Sequence, residues 1–300
     1  MFFDIASSEN WESVEEVKKG WSSDKKYLIK TRSGEKLLLR ISGAERYDEK
    51  KKEFEIIEKY SRLGFVMSQP VEFGRCGDGD AYMLLSWIDG EDLEAVLPRL
   101  TGAEQYALGR RAGEILKAIH SVPIAPEDVP AGTKKAKKLR QLSLYEESDL
   151  RIPNDGDAVR YVKENIDRIW SVPPVYQHGD FHPGNLIYMK NGDLGVIDFN
   201  RWEVGDPYEE FYKLENFGVE SSAPYCIGQI DAYFCDRVPE DFWRAFAVYS
   251  AHAALYSIKW AEKFGRREID GMVKRAERAM RDFDGFRLTV PKWYVDKYRG

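Results

Sequence analysis

The stretch of sequence that decides the fold is residues 178–185, which read His-Gly-Asp-Phe-His-Pro-Gly-Asn. It is followed by Ile-Asp-Phe at residues 197–199. Together the two stretches hold three oxygen-bearing side chains on short loops at the two ends of a predicted β-hairpin, namely Asp180, Asn185 and Asp198. The three side chains follow one another within a short stretch of sequence, in the order Asp, Asn, Asp, so we interpret them as one site.

Such a set suits the transfer of a phosphoryl group. One carboxylate can orient the attacking hydroxyl, while a second carboxylate and an amide hold Mg²⁺ against the phosphates of a nucleotide. The Asp-x-x-x-x-Asn spacing is typical of the catalytic loop of kinases, and Asp-Phe after the next strand stands where their metal-binding Asp stands.

Composition narrows the class of protein. The 300 residues are 43% apolar and 32% charged, as in a soluble domain, and the net charge of −6 argues against nucleic-acid binding. Three cysteines lack metal-ligand spacing, and no signal peptide is evident, so we expect a reducing cytoplasm. The apolar segment 242–261 is interrupted by charged residues, which predicts a core helix and no membrane partner.

The first ninety residues show mainly strand patterns. Two strands flank Ser33-Gly34, a hairpin signal, and two more are predicted at residues 71–73 and 81–86. Between the two pairs, residues 44–63 are rich in helix-forming residues. The turn at Asp89-Gly90 marks the expected lobe boundary.

Helical patterns dominate the rest of the chain. Helices are predicted near residues 102–120, 156–170, 207–217, 224–234, 240–263 and 267–282. Between the second and third of these lies the strand pair 185–189 and 193–198, joined by Asn191-Gly192, the favoured two-residue hairpin turn. The run of positive charge at residues 134–140 predicts a solvated helix face.

A β-rich region, a connector and a helical region with two catalytic loops is the layout of a protein kinase. The motifs at residues 178–185 and 197–199 resemble those of the aminoglycoside phosphotransferase and choline kinase family, from about Ser13 through the 240–263 helix. His-Arg-Asp is missing, and Asp-Phe-Asn replaces Asp-Phe-Gly. The resemblance implies a bilobal α+β, protein-kinase-like fold. Residues 1–88 would form an antiparallel nucleotide-binding lobe with one helix, and residues 89–300 a mainly helical catalytic and acceptor-binding lobe.

By this resemblance Asp180 is the catalytic carboxylate, and Asn185 and Asp198 bind Mg²⁺. The alternative for each is a turn or strand-end cap. His178 and His182 lie four residues apart on a loop, and no third ligand has the spacing of a zinc site. We expect hydrogen bonds of His178 to shape the catalytic loop and His182 to pack within it.

The resemblance places a phosphate-binding Lys at the strand position that Arg40 occupies. Arg is always charged and can bind phosphate bidentately, so the role is kept, with Glu53 as the expected partner and Glu49 as the second choice. The alternative is a strand-end Arg and a solvated Glu. A turn containing Ser22 and Ser23 is expected to cover the phosphates, although an ordinary hairpin turn fits nearly as well.

The connector at residues 85–88 is expected to bind the purine through backbone groups of Ser86 and Ile88. Its sequence does not distinguish adenine from guanine.

The segment after the metal loop has two interpretations. Asp206 and Pro207 predict a helix start, with Glu209 at the third position of a capping box. We favour this structural role, although Glu203, Glu209 and Glu210 are also predicted to make the acceptor side acidic.

These residues predict a kinase that transfers the γ-phosphate of ATP or GTP, with Mg²⁺, to a hydroxyl of a small-molecule acceptor. An aminoglycoside-type antibiotic or similar cationic or sugar alcohol is the leading acceptor, while choline, homoserine, methylthioribose and macrolides stay open. A nucleotide-binding regulatory module without turnover is the alternative from another class, and a metal hydrolase is a third. We expect a monomer or weak homodimer.

Overall fold

The computed structural model of the chain describes residues 4–18, 24–77 and 79–296. The chain divides into two compact units. The first unit is Met1–Glu91 together with Ile187–Trp202, and the second is Asp92–Leu186 together with Glu203–Gly300. The division therefore falls three residues beyond the expected boundary, and the first unit also contains the hairpin that carries Asp198.

The strands are short and are mostly in the first unit. In chain order they are β1 (Trp11–Glu16), β2 (Lys25–Thr31), β3 (Lys36–Ser42), β4 (Val66–Met67), β5 (Pro70–Cys76), β6 (Asp80–Ser86), β7 (Glu91–Asp92), β8 (Val175–Gln177), β9 (Leu186–Tyr188), β10 (Leu194–Val196) and β11 (Glu203–Gly205).

The helices are mostly in the second unit. They are α1 (Tyr47–Tyr60), α2 (Leu93–Val96), α3 (Gly102–His120), α4 (Lys135–Glu146), α5 (Gly156–Asn165), α6 (Val219–Ser221), α7 (Ala223–Tyr233), α8 (Glu240–Ala261), α9 (Arg266–Asp282) and α10 (Lys292–Val295). The predicted α+β class, with a strand-rich first part and a helical second part, is confirmed.

An antiparallel sheet in the order β1-β2-β3-β6-β5 forms the frame of the first unit. Alternate apolar residues of its strands face one core, which includes Ile29, Leu39 and Leu84, all fully buried. Helix α1 contacts β5 and β6 and buries Ile56 and Ile57. This packing fixes the polar residues of β2, β3 and α1 relative to one another.

The hairpin β9–β10 belongs to a smaller sheet, in which β10 pairs in parallel with β4. Its turn differs from the two-residue turn predicted at Asn191-Gly192. Only Gly192 has a left-handed backbone, with φ of +83°, and its N–H donates to the Met189 carbonyl. A type I turn followed by a left-handed glycine is the three-residue alternative for such a loop.

Helices α3 and α7 form the closest helix pair of the second unit. A Cβ at Gly109 would lie 2.0 Å from the Tyr225 carbonyl oxygen, and one at Gly113 would lie 2.3 Å from that of Gln229. Glycine is therefore required at both crossing points. Helix α8 is a buried core helix, as predicted. Within the described part of the chain, no helix has the length and apolarity needed to cross a membrane.

Two helix predictions need correction. Residues 207–217 do not form one α-helix, because a 3-10 turn at Glu209–Phe211 is followed by a π-helical stretch at Leu214–Gly218. The positive run at residues 134–140 is not simply a solvated face, since the Lys138 side chain is only 13% exposed.

Candidate functional site

The loop that carries Asp180 follows β8 and is fixed from its backbone. The N–H groups of His178 and Gly179 donate to the two carboxylate oxygens of Glu210, at 2.8 and 2.7 Å. Gly179 has a φ of +80°, a conformation that favours glycine. Glu210 is buried and also lies 3.3 Å from His120 Nε2. It therefore anchors the loop, which corrects the expectation that it makes the acceptor side acidic.

Asn185 closes the same loop. Its amide nitrogen donates to the Asp180 carbonyl at 2.9 Å and lies 3.4 Å from His182 Nε2. The amide nitrogen is thus turned into the loop, which assigns the side-chain oxygen to the other side. His182 Nδ1 accepts from the Gly184 N–H at 3.2 Å, so this histidine packs within the loop, as expected.

Lys213 contacts the Asp180 carboxylate directly. Its ammonium nitrogen lies 2.5 Å from Asp180 Oδ1, and the two side chains are 6% and 17% exposed. Lys213 stands between the 3-10 turn and the π-helical stretch, and its ammonium also lies 5.4 Å from the centre of the Phe217 ring. Lys213 was not predicted as a site residue. A Lys within the apolar stretch between Phe211 and Leu214 could, however, have indicated a buried charge.

Asp198 lies two residues beyond β10 in the first unit and has a left-handed backbone with φ of +63°. The left-handed residue of this loop is therefore Asp198 itself and not Asn200, which replaces the glycine of Asp-Phe-Gly. The Asp198 side chain is 28% exposed, and its Oδ2 lies 4.0 Å from the Lys26 ammonium.

Arg40 lies at the centre of a buried ion cluster on the first sheet. Its Nη1 donates to Glu53 and its Nη2 donates to Asp24, both at 2.6 Å. Lys50 contacts the same two carboxylates, at 2.8 Å from Glu53 and 3.0 Å from Asp24. Glu49, the second choice as partner of Arg40, pairs with Arg46 instead.

The charges of this cluster reinforce one another. Burial works against the positive charge of Arg40, but Glu53, Asp198 and Asp24 outweigh it and raise the pKa of the guanidinium. Burial alone would raise the pKa of Asp24, yet Arg40 and Lys50 lower it well below its ordinary range. Arg40 and Asp24 therefore stay ionised at neutral pH.

The other residues predicted to bind the nucleotide are Ser86 and Ile88 of the connector and Ser22 and Ser23 of one loop. The Ser86 N–H donates to the Gln69 carbonyl, and the Ser86 hydroxyl accepts from the Gln69 N–H. The Ser86 N–H is thus already bonded within the first unit. Ile88 packs its side chain over Gly195 of β10. Ser22 and Ser23 lie outside the described residues.

Asp206 is fully buried and does not form the predicted capping box with Glu209. Its carboxylate accepts from the N–H groups of Trp170 and Tyr208 and from the Tyr249 hydroxyl, at 2.6, 2.9 and 2.8 Å. Burial raises the pKa of Asp206 despite these donors. The residue thus ties several segments of the second unit together, which is a structural role.

The other two predicted acidic residues have basic partners. Glu209 lies 2.5 Å from Lys138, and Glu203 pairs with Lys134. Burial would raise the pKa of Glu209, but Lys138 lowers it below its ordinary range. Lys134, just before α4, and Lys138 within it therefore neutralise the two carboxylates that were expected to attract a cationic acceptor.

The chemistry of the donor set fits Mg²⁺, which prefers hard oxygen ligands and retains water and phosphate oxygens. The part-exposed carboxylate of Asp198 and the amide oxygen of Asn185 are ligands of this kind. Across residues 4–18, 24–77 and 79–296 as a whole, no group of three or more His, Cys, Asp or Glu side chains is arranged to hold a metal.

Comparison with known proteins gives consistent results. The model of the phosphotransferase enzyme family matches residues 13–251. An aminoglycoside 3'-phosphotransferase of Escherichia coli is 26% identical over 145 residues, which are 46% of this chain and 52% of that protein. An aminoglycoside 3'-phosphotransferase of Salmonella typhimurium matches to the same extent. The chain thus aligns with about half the length of these curated relatives.

Solved structures share the fold. The GDP complex of aminoglycoside 2'-phosphotransferase-IIIa superposes with a TM-score of 0.70 at 18% identity, over 93% of this chain and 94% of that chain. Amicoumacin kinase in complex with AMP-PNP and Ca²⁺ superposes with a TM-score of 0.65 at 13% identity, over 94% and 91%. Because the family model covers most of the chain and includes the loops of Asp180 and Asp198, this chain belongs to the phosphotransferase enzyme family.

Proposed function

We propose that this protein is a small-molecule kinase that transfers the γ-phosphate of ATP or GTP to a hydroxyl of an aminoglycoside-type acceptor. The observation that carries the proposal is the construction of the Asp180 loop. Its carboxylate is held by Lys213, its carbonyl by Asn185, and the two preceding N–H groups by Glu210. A carboxylate fixed in this way can orient a hydroxyl before reaction, which is the main protein contribution to phosphoryl transfer.

In this proposal Asp180 accepts a hydrogen bond from the acceptor hydroxyl and takes up its proton as the hydroxyl oxygen bonds to the γ-phosphorus. The bond from that phosphorus to the β,γ-bridging oxygen breaks in the same step, and the nucleoside diphosphate leaves. Asn185 and Asp198 would hold Mg²⁺, and the bound ion would shield the charge of the phosphates. The Ser86 carbonyl and the Ile88 N–H bind the purine edge. Arg40 and Glu53 organise the phosphate side of the first unit through their buried ion pair.

Support for the acceptor class comes from the relatives. Curated relatives that share 26% identity with this chain act on aminoglycosides by name, and so do several structures of the same fold. The ion pairs of Glu203 and Glu209 with lysines mean that a polycationic acceptor would be recognised by other groups. Resistance to an antibiotic is the cellular role that this activity would give.

The test is a coupled assay of nucleotide turnover. ATP and GTP with Mg²⁺ are offered against aminoglycosides, macrolides, choline, homoserine and methylthioribose. The Asp180→Asn variant is compared with wild type, and Asp149→Asn, at an exposed position, is the matched control. We expect one acceptor class to stimulate turnover in wild type and control, and a loss of at least about 100-fold in Asp180→Asn. Stimulation that survives in Asp180→Asn would remove Asp180 from the mechanism.

The regulatory module makes a different prediction. Tight nucleotide binding without turnover of any acceptor would support it. The Asp198→Asn variant distinguishes the kinase from the regulatory module. A kinase would lose its Mg²⁺-dependent turnover in this variant, whereas a module without turnover would show none in wild type or variant.

A further inference from the structure

We propose that Lys26 is the cation that contacts the nucleotide phosphates in this protein, and that Arg40 organises the site from behind it. The inference rests on the proposed function and specifies one residue of the same site. It starts from the strand register, because Lys26 of β2 lies directly opposite Arg40 of β3 in the antiparallel pair. Directly opposed residues project from the same face of a sheet.

Arg40 is poorly placed to serve as the phosphate ligand. One ion pair with Glu53 would leave one terminal nitrogen to meet a phosphate, but Nη2 is held by Asp24 at the same distance of 2.6 Å. The Arg40 side chain is only 3% exposed. Lys50 is engaged in the same way and is equally buried. Arg46 also contacts Asp24, at 2.8 Å, and pairs with Glu49. With these two residues counted, three cations face three carboxylates, so the cluster offers little net attraction to an anion.

Lys26 is more exposed than Arg40 and is held less tightly by carboxylates. Its side chain is 13% exposed, and its ammonium lies 4.0 Å from Asp198 Oδ2, at the outer limit of an ion pair. Asp198 is the proposed carboxylate ligand of Mg²⁺, an ion that proteins usually bind through one or two carboxylates together with phosphate oxygens of the substrate. An ammonium beside Asp198 is therefore positioned to meet those oxygens, and a Lys acts on phosphate as a mobile point charge.

The sequence gives a matched control. Lys25 is the preceding residue of β2, is exposed, and projects from the opposite face of the sheet. Lys25→Met and Lys26→Met remove the same charge from the same strand. Only the second removes it from the face that carries Arg40.

Affinities for nucleotide and nucleoside test the proposal without requiring turnover. Calorimetric titration of wild type, Lys25→Met and Lys26→Met uses ADP and adenosine with Mg²⁺, and GDP and guanosine in parallel. We expect Lys26→Met to weaken diphosphate binding by about 10- to 100-fold and to leave nucleoside binding within about twofold. Lys25→Met is expected to match wild type, and Lys26→Arg to recover part of the loss.

Arg40→Met is expected to act differently. It leaves Asp24 and Glu53 in a buried site without their main cation, so it should lower the melting temperature strongly, whereas Lys26→Met should barely change it.

The outcomes separate the two proposals. If wild type binds neither ADP nor GDP, the proposed function fails and this inference fails with it. If wild type binds a diphosphate and Lys26→Met binds it equally well, only the assignment of Lys26 is overturned. Equal weakening of diphosphate and nucleoside in a folded Lys26→Met protein would also overturn it, since the effect would then not come from the phosphates.

Discussion

The Lys213 ammonium lies 2.5 Å from Oδ1 of Asp180, although the two residues are 33 positions apart in the sequence. The contact limits the rotation of the proposed catalytic carboxylate. A charge-assisted hydrogen bond of this kind is shorter and stronger than one between neutral groups. It makes Lys213 a positioning residue for the proposed transfer.

Replacing Lys213 tests this role. Lys213→Met should lower kcat by about 10- to 100-fold, the worth of one hydrogen bond to a charged group, while KM for the nucleotide changes little. Lys213→Arg should restore part of the rate, because the charge returns with a different geometry. The measurement is steady-state kinetics, with Lys135→Met as a surface control. A Lys213→Met enzyme with wild-type kcat would contradict the positioning role.

Asp206 should contribute to stability more than to the chemical step. Asp206→Ala leaves the Trp170 N–H, the Tyr208 N–H and the Tyr249 hydroxyl without their acceptor in a buried site. We expect it to lower the free energy of unfolding by about 3 kcal/mol or more, whereas Tyr249→Phe should cost about 1 kcal/mol. Denaturant unfolding of both variants checks the order. Similar small losses would mean that water replaces the missing carboxylate.

Much of the fold was predictable because local patterns and tertiary packing agree. The hairpin at Ser33-Gly34, helix α1 and core helix α8 follow from turn residues and hydrophobic spacing. The contact of Arg40 with Glu53 was also expected, because the family resemblance implies such a pair between one strand and the following helix. The 3-10 and π-helical stretch after Asp206 was not predictable, because its geometry follows buried polar contacts that outweigh helix propensity.

The contacts around Asp180 and Asp198 were harder to predict than the motifs that contain these residues. Asp180, Asn185 and Asp198 are spaced by a motif within one short stretch. No local period reveals the contacts of Lys213 and Glu210 with the Asp180 loop, or that of Lys26 with Asp198. Lys213 and Glu210 are also buried charges, which a sequence pattern assigns to the surface. The acidic acceptor side was expected from Glu203, Glu209 and Glu210, whose partners on α4 and on the Asp180 loop become visible only after folding.

A buried acid gives stability a specific dependence on pH. Burial, together with the nearby Asp282 charge, raises the pKa of Glu215 from 4.5 to about 7. The folded state therefore keeps a proton that the unfolded state releases above pH 4.5. Stability from this group is fully present below pH 4.5 and is lost as the pH rises to about 7, by about 3 kcal/mol in total.

Glu215→Gln isolates this effect. Glutamine keeps an oxygen for the Trp293 indole N–H, which donates to Glu215 at 2.8 Å, and it cannot ionise. The variant should show a flatter stability profile between pH 4.5 and 7 and should exceed wild type at pH 8. Urea unfolding at a series of pH values is the measurement. Parallel profiles for the two proteins would show that Glu215 is ionised in both states.

Glu210 should control the rate through the shape of the Asp180 loop. Both of its carboxylate oxygens accept backbone N–H groups, from His178 and Gly179. Glu210→Gln keeps one acceptor and sets an amide N–H against the other donor, so the loop must shift. A small misplacement of a catalytic group can reduce a rate by about 100-fold, and we expect a loss of this order in kcat with nucleotide affinity retained.

Glu203→Gln is the matched control, because it removes a carboxylate of the same segment that pairs with Lys134 and does not contact the loop backbone. If both variants lose the same fraction of kcat, the acidic character of the segment, and not the anchoring of the loop, is what the reaction requires.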